Sequence, residues 1–564
     1  MKTALISVYN KDGIVEFAKG LAEMDFKIYA SGGTAKALSE AGIEAQDVAS
    51  LVGGGPILGH RVVTLSREVH AGLLARDTEE DRAELNRLKI PWIDLVCIDL
   101  YPLQEEIKKW TSGTLTRPAP VFNPEYPSKK LELDTLSQRE REKMNEAIIE
   151  KTDIGGPTLL RAAAKGRRIV ICDPADRTIV IDWLKNDEPD KEKFINHLAS
   201  KAEFIVADYA LASARYHSSE KFDGFLGEQV SELKYGENAW QTPAGLFASK
   251  SDDPLSIHQF KLIAGTALSY NNLADVDRLL QTITHIAAGF DVNFGQAPKI
   301  AVGVKHGNPC GASVDENPHQ AIEKMLEGDL RAIFGGLVMV NFTVDEAAAE
   351  ILLSYQMTEN KRRLLDGIIA PEFSPGAIEM LKRKGDKCRF LVNPALANLS
   401  KDSLDQHQRF RYVRGGFLRQ PNYTFVLDLQ ASELEISEKL SEEKKQDVIL
   451  AWAIGSTSNS NTITLVKDSQ LIGNGVGQQD RVSGCQLAIK RAQDASHKTE
   501  GAVAYSDSFF PFVDGVEALF RAGVKTIFTT SGSVRDEEIR KFCADNGITL
   551  VMLPDIQARG FFGH

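Results

Sequence analysis

The strongest constraint in this chain is a rhythm. Over the first 225 residues short apolar runs alternate with stretches of helical spacing. "TALISVY" is β-leaning, "NKDG" turns, and "IVEFAKGLAEM" places its apolar residues at helical intervals. "KIYA", "SGGT" and "AKALSEAG" repeat the unit, and "WIDLVCIDLY", "RIVICD" and "EFIVADYALASARYH" continue it. Strands that alternate with helices predict a doubly wound, parallel α/β sheet. Residues 110–152 break the pattern. "TSGTLTRPAPVFNPEYPSKK" is proline-rich and "TLSQREREKMNEAIIEK" reads as a charged helix, so the region is expected to be an insertion or lid.

The rhythm stops near 215–230, and a first domain of 1–225 is expected there, followed by a second of 226–564. The second region contains two similar-looking α/β halves, about 226–400 and 440–564. Each has a strand run, a glycine-rich turn and a helix. Lys382 to Glu443 is charged and less regular, and reads as their connection. A length of 564 residues agrees with several cores rather than one.

The net charge of −12 argues against broad binding to nucleic acid or anionic membranes, though not against local basic pockets for small anions. No window is apolar for long enough to span a bilayer. The N-terminus lacks a small-residue cleavage site and reads as a first strand. Six scattered cysteines with no C-x-x-C fit free thiols in a reducing cytoplasm.

Several stretches combine residues suited to chemistry. "YASGGTAKA" sets Ser31, Gly32, Gly33 and Thr34 between a strand and a helix. It is either a tight turn or an anion seat of free helix-start amides, and Lys11 in "SVYNKDG" ends a neighbouring strand. In "DIGGPTLLRAAAKG" an acid, Asp153, precedes a Gly-Gly turn, and Arg161 and Lys165 share a helix face. That is a solvated basic face or an acid and an anion clamp around one turn. "GNGVGQQDR" lacks a third glycine in register and reads as a turn or a ligand-contacting loop rather than a dinucleotide fingerprint. "IAVGVKHGNPCGAS" ends a strand on Lys305 and His306. Its Cys310 has no cysteine partner at Ser313 and no upstream H-x-E, so it is expected to be buried and inert rather than a zinc ligand. "SDSFFPFVDG" is core packing or an aromatic wall for a flat ring.

Taken in order, "SGGTAKAL", "DLYP", "DIGG.TLLRAAAK", "KYGEN", "LSYNNLADVD", "VKH.NPCG", "IIAPEFSP", "G.G.GQ..R", "SD.FFPF.D" and "SGSVRD" resemble one family. It is the bifunctional purine-biosynthesis family that combines aminoimidazole-carboxamide ribonucleotide (AICAR) formyltransferase with IMP cyclohydrolase. The resemblance covers nearly the whole chain apart from 110–152 and parts of 380–445. It implies an N-terminal domain like methylglyoxal synthase that performs the cyclohydrolase step. It also implies a C-terminal pair of cytidine-deaminase-like subdomains without catalytic zinc, which move a formyl group from 10-formyltetrahydrofolate to AICAR. A cytoplasmic homodimer acting on small-molecule substrates follows from it, with a monovalent cation left open.

The implied formyltransferase residues are Lys305, His306 and Asn461, with Lys234, Tyr235, Asn271, Asp275, Arg481 and Phe510 on the substrate side. The implied cyclohydrolase residues are Lys165, Asp153 and Tyr101, with Lys11, Ser31, Gly33, Thr34, Arg61 and Thr64 around the substrate. The chain departs from the family pattern at several places. Lys234 stands for an arginine, Trp240 for a histidine, Ser456 for a basic residue and Gly560 for an arginine. In "HRVVTLSRE" the family's lysine is Val63, its histidine Ser66 and its proline Arg67. The expected function is therefore the last two steps of IMP synthesis. The alternative is a formyltransferase alone, whose first domain is a weak or inactive binding module for want of the lysine at 63. A ligand-sensing protein without activity is a third class, opposed by the intact Lys305, His306 and Asn461.

Overall fold

A computed structural model describes residues 2–55, 57–58, 62–112, 137–249, 251–358 and 361–563. The chain divides into two compact units, Met1–Leu226 and Gly227–His564.

Unit 1 is built on a five-stranded sheet. Its strands are β1 (Lys2–Ser7), β2 (Phe26–Ala30), β3 (Gln46–Asp47), β4 (Leu95–Ile98) and β5 (Ile169–Ile171), in the order β3-β2-β1-β4-β5. Every neighbouring pair is parallel. β1, β4 and β5 are apolar on both faces, as a sheet covered on both sides demands. The covering helices are α1 (Ile14–Ala22), α2 (Gly32–Glu40), α3 (Arg67–Leu74), α4 (Glu79–Leu88) and α5 (Leu103–Ser112). They continue with α6 (Gln138–Glu150), α7 (Gly155–Lys165), α8 (Asp176–Lys185) and α9 (Lys191–His217). Of the expected insertion, residues 113–136 lie outside the described residues. α6 is a helix opened by a capping box at Ser137 and Glu140. Its Met144 and Ile148 pack with Leu103 and Tyr209 in a small satellite core.

Unit 2 carries one twelve-stranded sheet and two hairpins. β6 (Glu228–Leu233) pairs with β7 (Ala244–Ala248), and β8 (Lys261–Ala264) forms one edge of the large sheet. The first half holds β9 (Lys299–Lys305), β10 (Asn308–Asp315), β11 (Leu337–Val340), β12 (Gly367–Ala370) and β13 (Arg389–Val392). β9 and β10 form an antiparallel hairpin, β11 runs antiparallel to β9, and β11, β12 and β13 are parallel. A second hairpin, β14 (Gln408–Val413) with β15 (Gly416–Pro421), stands apart from this sheet, and β16 (Glu435–Ile436) forms its other edge.

The second half repeats the scheme with β17 (Ile463–Lys467), β18 (Gln470–Gly475), β19 (Val503–Ser506), β20 (Thr526–Ser531) and β21 (Thr549–Pro554). β17 and β18 are the hairpin, and β19, β20 and β21 are the parallel set. The halves join where β10 meets β18, at Ser313 and Gln470. The stretch expected to be a connection thus contributes β13 to the main sheet, a free-standing hairpin and an edge strand.

Two helices sit at the centre of unit 2. α10 (Tyr270–Phe294) and α14 (Glu442–Gly455) share a core with strands of both halves. Between them in sequence come α11 (Pro318–Gly328), α12 (Glu346–Ser354) and α13 (Pro375–Leu381). α14 is buried without interruption from Asp447 to Gly455, so it is apolar on all sides rather than striped. α10 approaches it closely at Gly289, where a Cβ would stand 2.7 Å from Ile449 and 3.0 Å from Trp452.

Candidate active sites

In unit 1 the C-terminal ends of β1, β2 and β4 converge, the place where parallel α/β sheets gather ligands. Ser31 starts α2 with no side-chain cap of its own. Its hydroxyl pairs instead with Ser7 at 2.8 Å. The first amides of α2 are therefore uncapped by Ser31, and neither Gly32 nor Gly33 has an atom within 4 Å of where a Cβ would stand. Such a helix start suits a phosphate. The Lys11 ammonium leans over it, bonded to the Val8 carbonyl and 3.2 Å from the Thr34 hydroxyl, and burial pulls its pKa down. Thr34 is itself buried, held by the Val8 amide at 3.3 Å.

Asp153 stands beside this seat. Its carboxylate accepts from the Gly156 amide at 2.8 Å at the start of α7, and from the backbone of Tyr101 and Gly155. Burial nevertheless raises its pKa, and the charge of Asp99 adds to the rise. Tyr101 is half exposed and meets Tyr9 edge to face at 5.3 Å. Thr64 is buried next to Gly155. Lys11, Ser31, Gly33, Thr34, Thr64, Tyr101 and Asp153 thus occupy one end of the sheet. Arg61 lies outside the described residues.

Lys165 does not join them. It ends α7, whereas Asp153 precedes the first turn. At 1.5 Å per residue the two are about 18 Å apart along the helix, beyond the reach of a lysine side chain. Lys165 is exposed, and Arg161 on the same helix pairs with Glu203 at 3.1 Å. The expected sharing of a basic face is therefore a solvent-side arrangement. Val63 is half buried and packs against the unit 1 core. Arg67 points elsewhere, paired with Glu68 at 3.0 Å with its side chain 78% exposed. Sequence reasoning missed Asp99, which accepts from the Asn10 amide at 3.0 Å and has its pKa raised by burial.

In unit 2 the pair Lys305–His306 sits at the tip of the β9–β10 hairpin. Lys305 pairs with Asn308, so His306 and Gly307 are the two turn residues. Their φ values are 54° and 71°, the left-handed pair that a two-residue hairpin turn requires. Glycine adopts this freely, but for His306 it costs about 1–2 kcal/mol. The turn is fastened from α10. Asp275 accepts from the Gly307 amide at 2.7 Å, and the Arg278 Nε donates to the Gly307 carbonyl at 2.8 Å. Asp275 has its pKa raised by burial, against the opposing pull of nearby His306. Lys305 donates from Nζ to the Phe334 carbonyl at 3.1 Å.

The same arginine reaches the second half of the unit. Arg278 Nη2 donates to the Asn459 side chain at 2.8 Å, and the Asn459 amide donates to Asn308 Oδ1 at 3.4 Å. Two residues on, Asn461 donates to the Gln478 carbonyl at 2.9 Å and accepts from Arg481 Nη2 at 2.8 Å. Arg481 is also bonded to Ser506 at 2.8 Å and to the fully buried Asp507. Hydrogen bonds therefore link α10 and the Lys305–Asn308 turn to Asn459, and a second set, two residues on, links Asn461 to Arg481, which begins α15 (Arg481–Asp494). "GNGVGQQDR" is the loop between β18 and α15, and it contacts Asn461 through Gln478.

One turn before Asp275, at the start of α10, Asn271 donates to the Glu237 carbonyl at 3.2 Å, which brings the Lys234–Tyr235 segment towards that helix start. Lys234 is exposed, 5.8 Å from the Tyr235 ring. A cleft of about 510 Å³ opens beside Asn461 and Arg481, lined also by Phe509, Phe512 and Arg559. Phe510 does not line it. It is 2% exposed and packs in the core, its ring close to Gly515, while its neighbours Phe509 and Phe512 face the cleft. Cys310 donates from Sγ to the Gly303 carbonyl at 3.5 Å, and burial pushes its thiol up to about 12. Among the described residues one group, Asp253, Asp405 and His407, brings three potential metal ligands together, and it includes none of the residues above.

A family model described as "AICARFT/IMPCHase bienzyme" matches residues 163–491, and one described as "MGS-like domain" matches residues 13–123. The bifunctional purine biosynthesis protein PurH of Acetivibrio thermocellus is 34% identical over 561 residues, covering 98% of both chains. The proteins of that name from Bacillus cereus and Anoxybacillus flavithermus are 33% and 35% identical, again over 98% of both chains. A solved structure named "Crystal structure of ForH" is 30% identical and spans 39% of this chain and 99% of its own, but with a TM-score of 0.30 it carries no argument about the fold. With one model matching more than half its length and full-length relatives above 30% identity, the chain belongs to the AICARFT/IMPCHase bienzyme family.

Proposed function

We propose that the chain carries out the last two steps of IMP synthesis. Unit 2 transfers a formyl group from 10-formyltetrahydrofolate to AICAR, and unit 1 closes formyl-AICAR to IMP with loss of water. The observation that carries this reading is the Lys305–His306 turn, fastened by Asp275 and Arg278 and tied to Asn459, two residues before Asn461, in a chain that its relatives match over 98% of its length.

The amine of AICAR is a poor nucleophile because its lone pair is delocalised into the imidazole and carboxamide. Attack on the formyl carbon needs positioning and removal of a proton as the C–N bond forms. His306, at the tip of the β9–β10 turn, takes that proton as the C–N bond forms. Lys305 faces the developing oxyanion and assists departure of the folate nitrogen. Asn461, oriented by Arg481, holds the carboxamide. Lys234, Tyr235 and Asn271 receive the phosphate, and Phe509 and Phe512 are better placed than Phe510 to flank a flat ring. In unit 1 Lys11, Ser31, Gly33 and Thr34 seat the phosphate, and Asp153 accepts the carboxamide proton during ring closure.

The formyltransferase-only alternative rests on Val63, but the MGS-like domain is matched and Asp153, Tyr101 and the anion seat come together. A cytoplasmic homodimer belongs to the same reading. The test is two assays on purified protein. AICAR with 10-formyltetrahydrofolate should release tetrahydrofolate, and formyl-AICAR supplied alone should give IMP. No turnover in the first removes the reading, and IMP formation at the uncatalysed rate in the second leaves only the formyltransferase.

A further inference from the structure

The strand-end mouth of unit 1 holds a cation that the scheme above leaves idle. Lys151 follows α6 directly, and its amide donates to the Ala147 carbonyl at 3.2 Å. Its carbonyl accepts from the Tyr209 hydroxyl at 3.0 Å, and the same phenol oxygen accepts from the Asp153 amide at 2.7 Å. One phenol therefore fixes the backbone of Lys151 relative to that of Asp153. The side chain is half buried. Its Nζ lies 5.2 Å from the centre of the Tyr9 ring and 5.6 Å from that of Tyr101. These are the two rings that meet edge to face, and the backbone of Tyr101 bonds the Asp153 carboxylate.

Aromatic faces attract an ammonium without neutralising it. Among the described residues no carboxylate lies within ion-pair distance of Lys151. Among the described residues the neighbouring cations are engaged elsewhere: Lys11 at the anion seat beside the Val8 carbonyl and Thr34, Arg177 on the Asp12 carbonyl at 2.6 Å, and Arg67 on Glu68. Position 63 offers only a packed valine.

Building on the cyclohydrolase reading, we propose that Lys151 is the cation that meets the formyl oxygen during ring closure. The carboxamide nitrogen attacks the formyl carbon and gives up a proton to Asp153, while the carbonyl electron pair moves onto the formyl oxygen. Lys151 donates to that oxyanion and protonates it to the carbinol. The hydroxyl then leaves as water with the proton held by Asp153. The formamide nitrogen loses its own proton to Lys151 as the C=N bond forms. Two N–H protons and one oxygen leave as water, and both side chains return to their starting state.

Lys151→Met, Lys151→Arg and the wild type are compared with formyl-AICAR as substrate, alongside tetrahydrofolate release from AICAR and 10-formyltetrahydrofolate. Removing one donor to a developing oxyanion typically lowers kcat by about 10²-fold. The expected result is a loss of that size in Lys151→Met with KM moved by less than about threefold, recovery of most of the rate in Lys151→Arg, and an unchanged initial rate of tetrahydrofolate release. A Lys151→Met kcat within about threefold of wild type overturns the proposal while leaving the cyclohydrolase reading intact. So does a change confined to KM, or an equal loss in both variants with a lowered melting temperature. A wild type that forms no IMP overturns both readings together.

Discussion

At the residue scale the chemistry was partly legible because strand ends show in a sequence while side-chain directions do not. Lys305 and His306 stood out where an apolar run stops, and the strand-helix turns exposed Ser31, Thr34 and Asp153. Adjacency misled at Phe510, since neighbours in a turn face opposite ways and only Phe509 and Phe512 reach the cleft. Lys165 misled for a related reason. A motif of thirteen residues reads as one site, yet a helix stretches it across the domain. Lys151 was invisible because its role depends on two rings distant in sequence. His306→Ala should lower tetrahydrofolate release by about 10²–10⁴-fold and leave IMP formation from formyl-AICAR untouched. Asp153 gives a pH test. As a base it works only ionised, and burial raises its pKa above the usual 3.8. The acid limb of kcat/KM for cyclisation should therefore lie above that value, the rate falling as pH drops through it, and Asp153→Asn should abolish both rate and limb. A limb at or below the ordinary aspartate value would remove Asp153 as the base.

At the scale of elements, the strand-helix alternation predicted the parallel sheet of unit 1 because buried parallel strands need unbroken apolar runs. The connection in unit 2 reads as irregular because its hairpin β14–β15 and its two-residue edge strand β16 are largely exposed and carry charge. What fixes the two halves is the contact of α10 with α14, which depends on a glycine. Gly289→Ala places a methyl against Ile449 and Trp452, and should cost about 1–3 kcal/mol as overpacking, seen as a lower melting temperature with the hairpin chemistry intact. α10 also buries His285, whose Nδ1 bonds the Gln281 carbonyl at 2.7 Å while Nε2 has no partner. Burial lowers its pKa from 6.5 to about 4. The unfolded chain then binds the proton more tightly than the folded one. Stability should be full above about pH 6.5 and decline by up to about 3 kcal/mol as pH falls towards 4. His285→Gln should flatten that decline in denaturant titrations run across the same range. An unchanged slope would show that His285 is not the group responsible.

At the scale of the whole molecule, joining two reactions in one chain makes chemical sense from the first reaction's equilibrium. Formyl transfer moves an acyl group between two nitrogens whose lone pairs are both delocalised, so neither side is strongly favoured. Ring closure differs, because it creates an aromatic six-membered ring and expels water. The second step therefore draws the first forward, and this needs no statement about how the units are arranged. The consequence is measurable in a variant that stops only the second step. With Asp153→Asn, tetrahydrofolate release from AICAR and 10-formyltetrahydrofolate should begin at the wild-type rate, because the residues of unit 2 are untouched. It should then level off short of completion while formyl-AICAR accumulates, and the plateau should rise with the AICAR concentration. Adding a second batch of protein carrying His306→Ala, which keeps its own Asp153, should restart tetrahydrofolate release and convert the accumulated formyl-AICAR to IMP. Complete conversion by Asp153→Asn alone would show that formyl transfer needs no such pull. Failure of the added His306→Ala protein to restart it would show that formyl-AICAR does not pass between molecules.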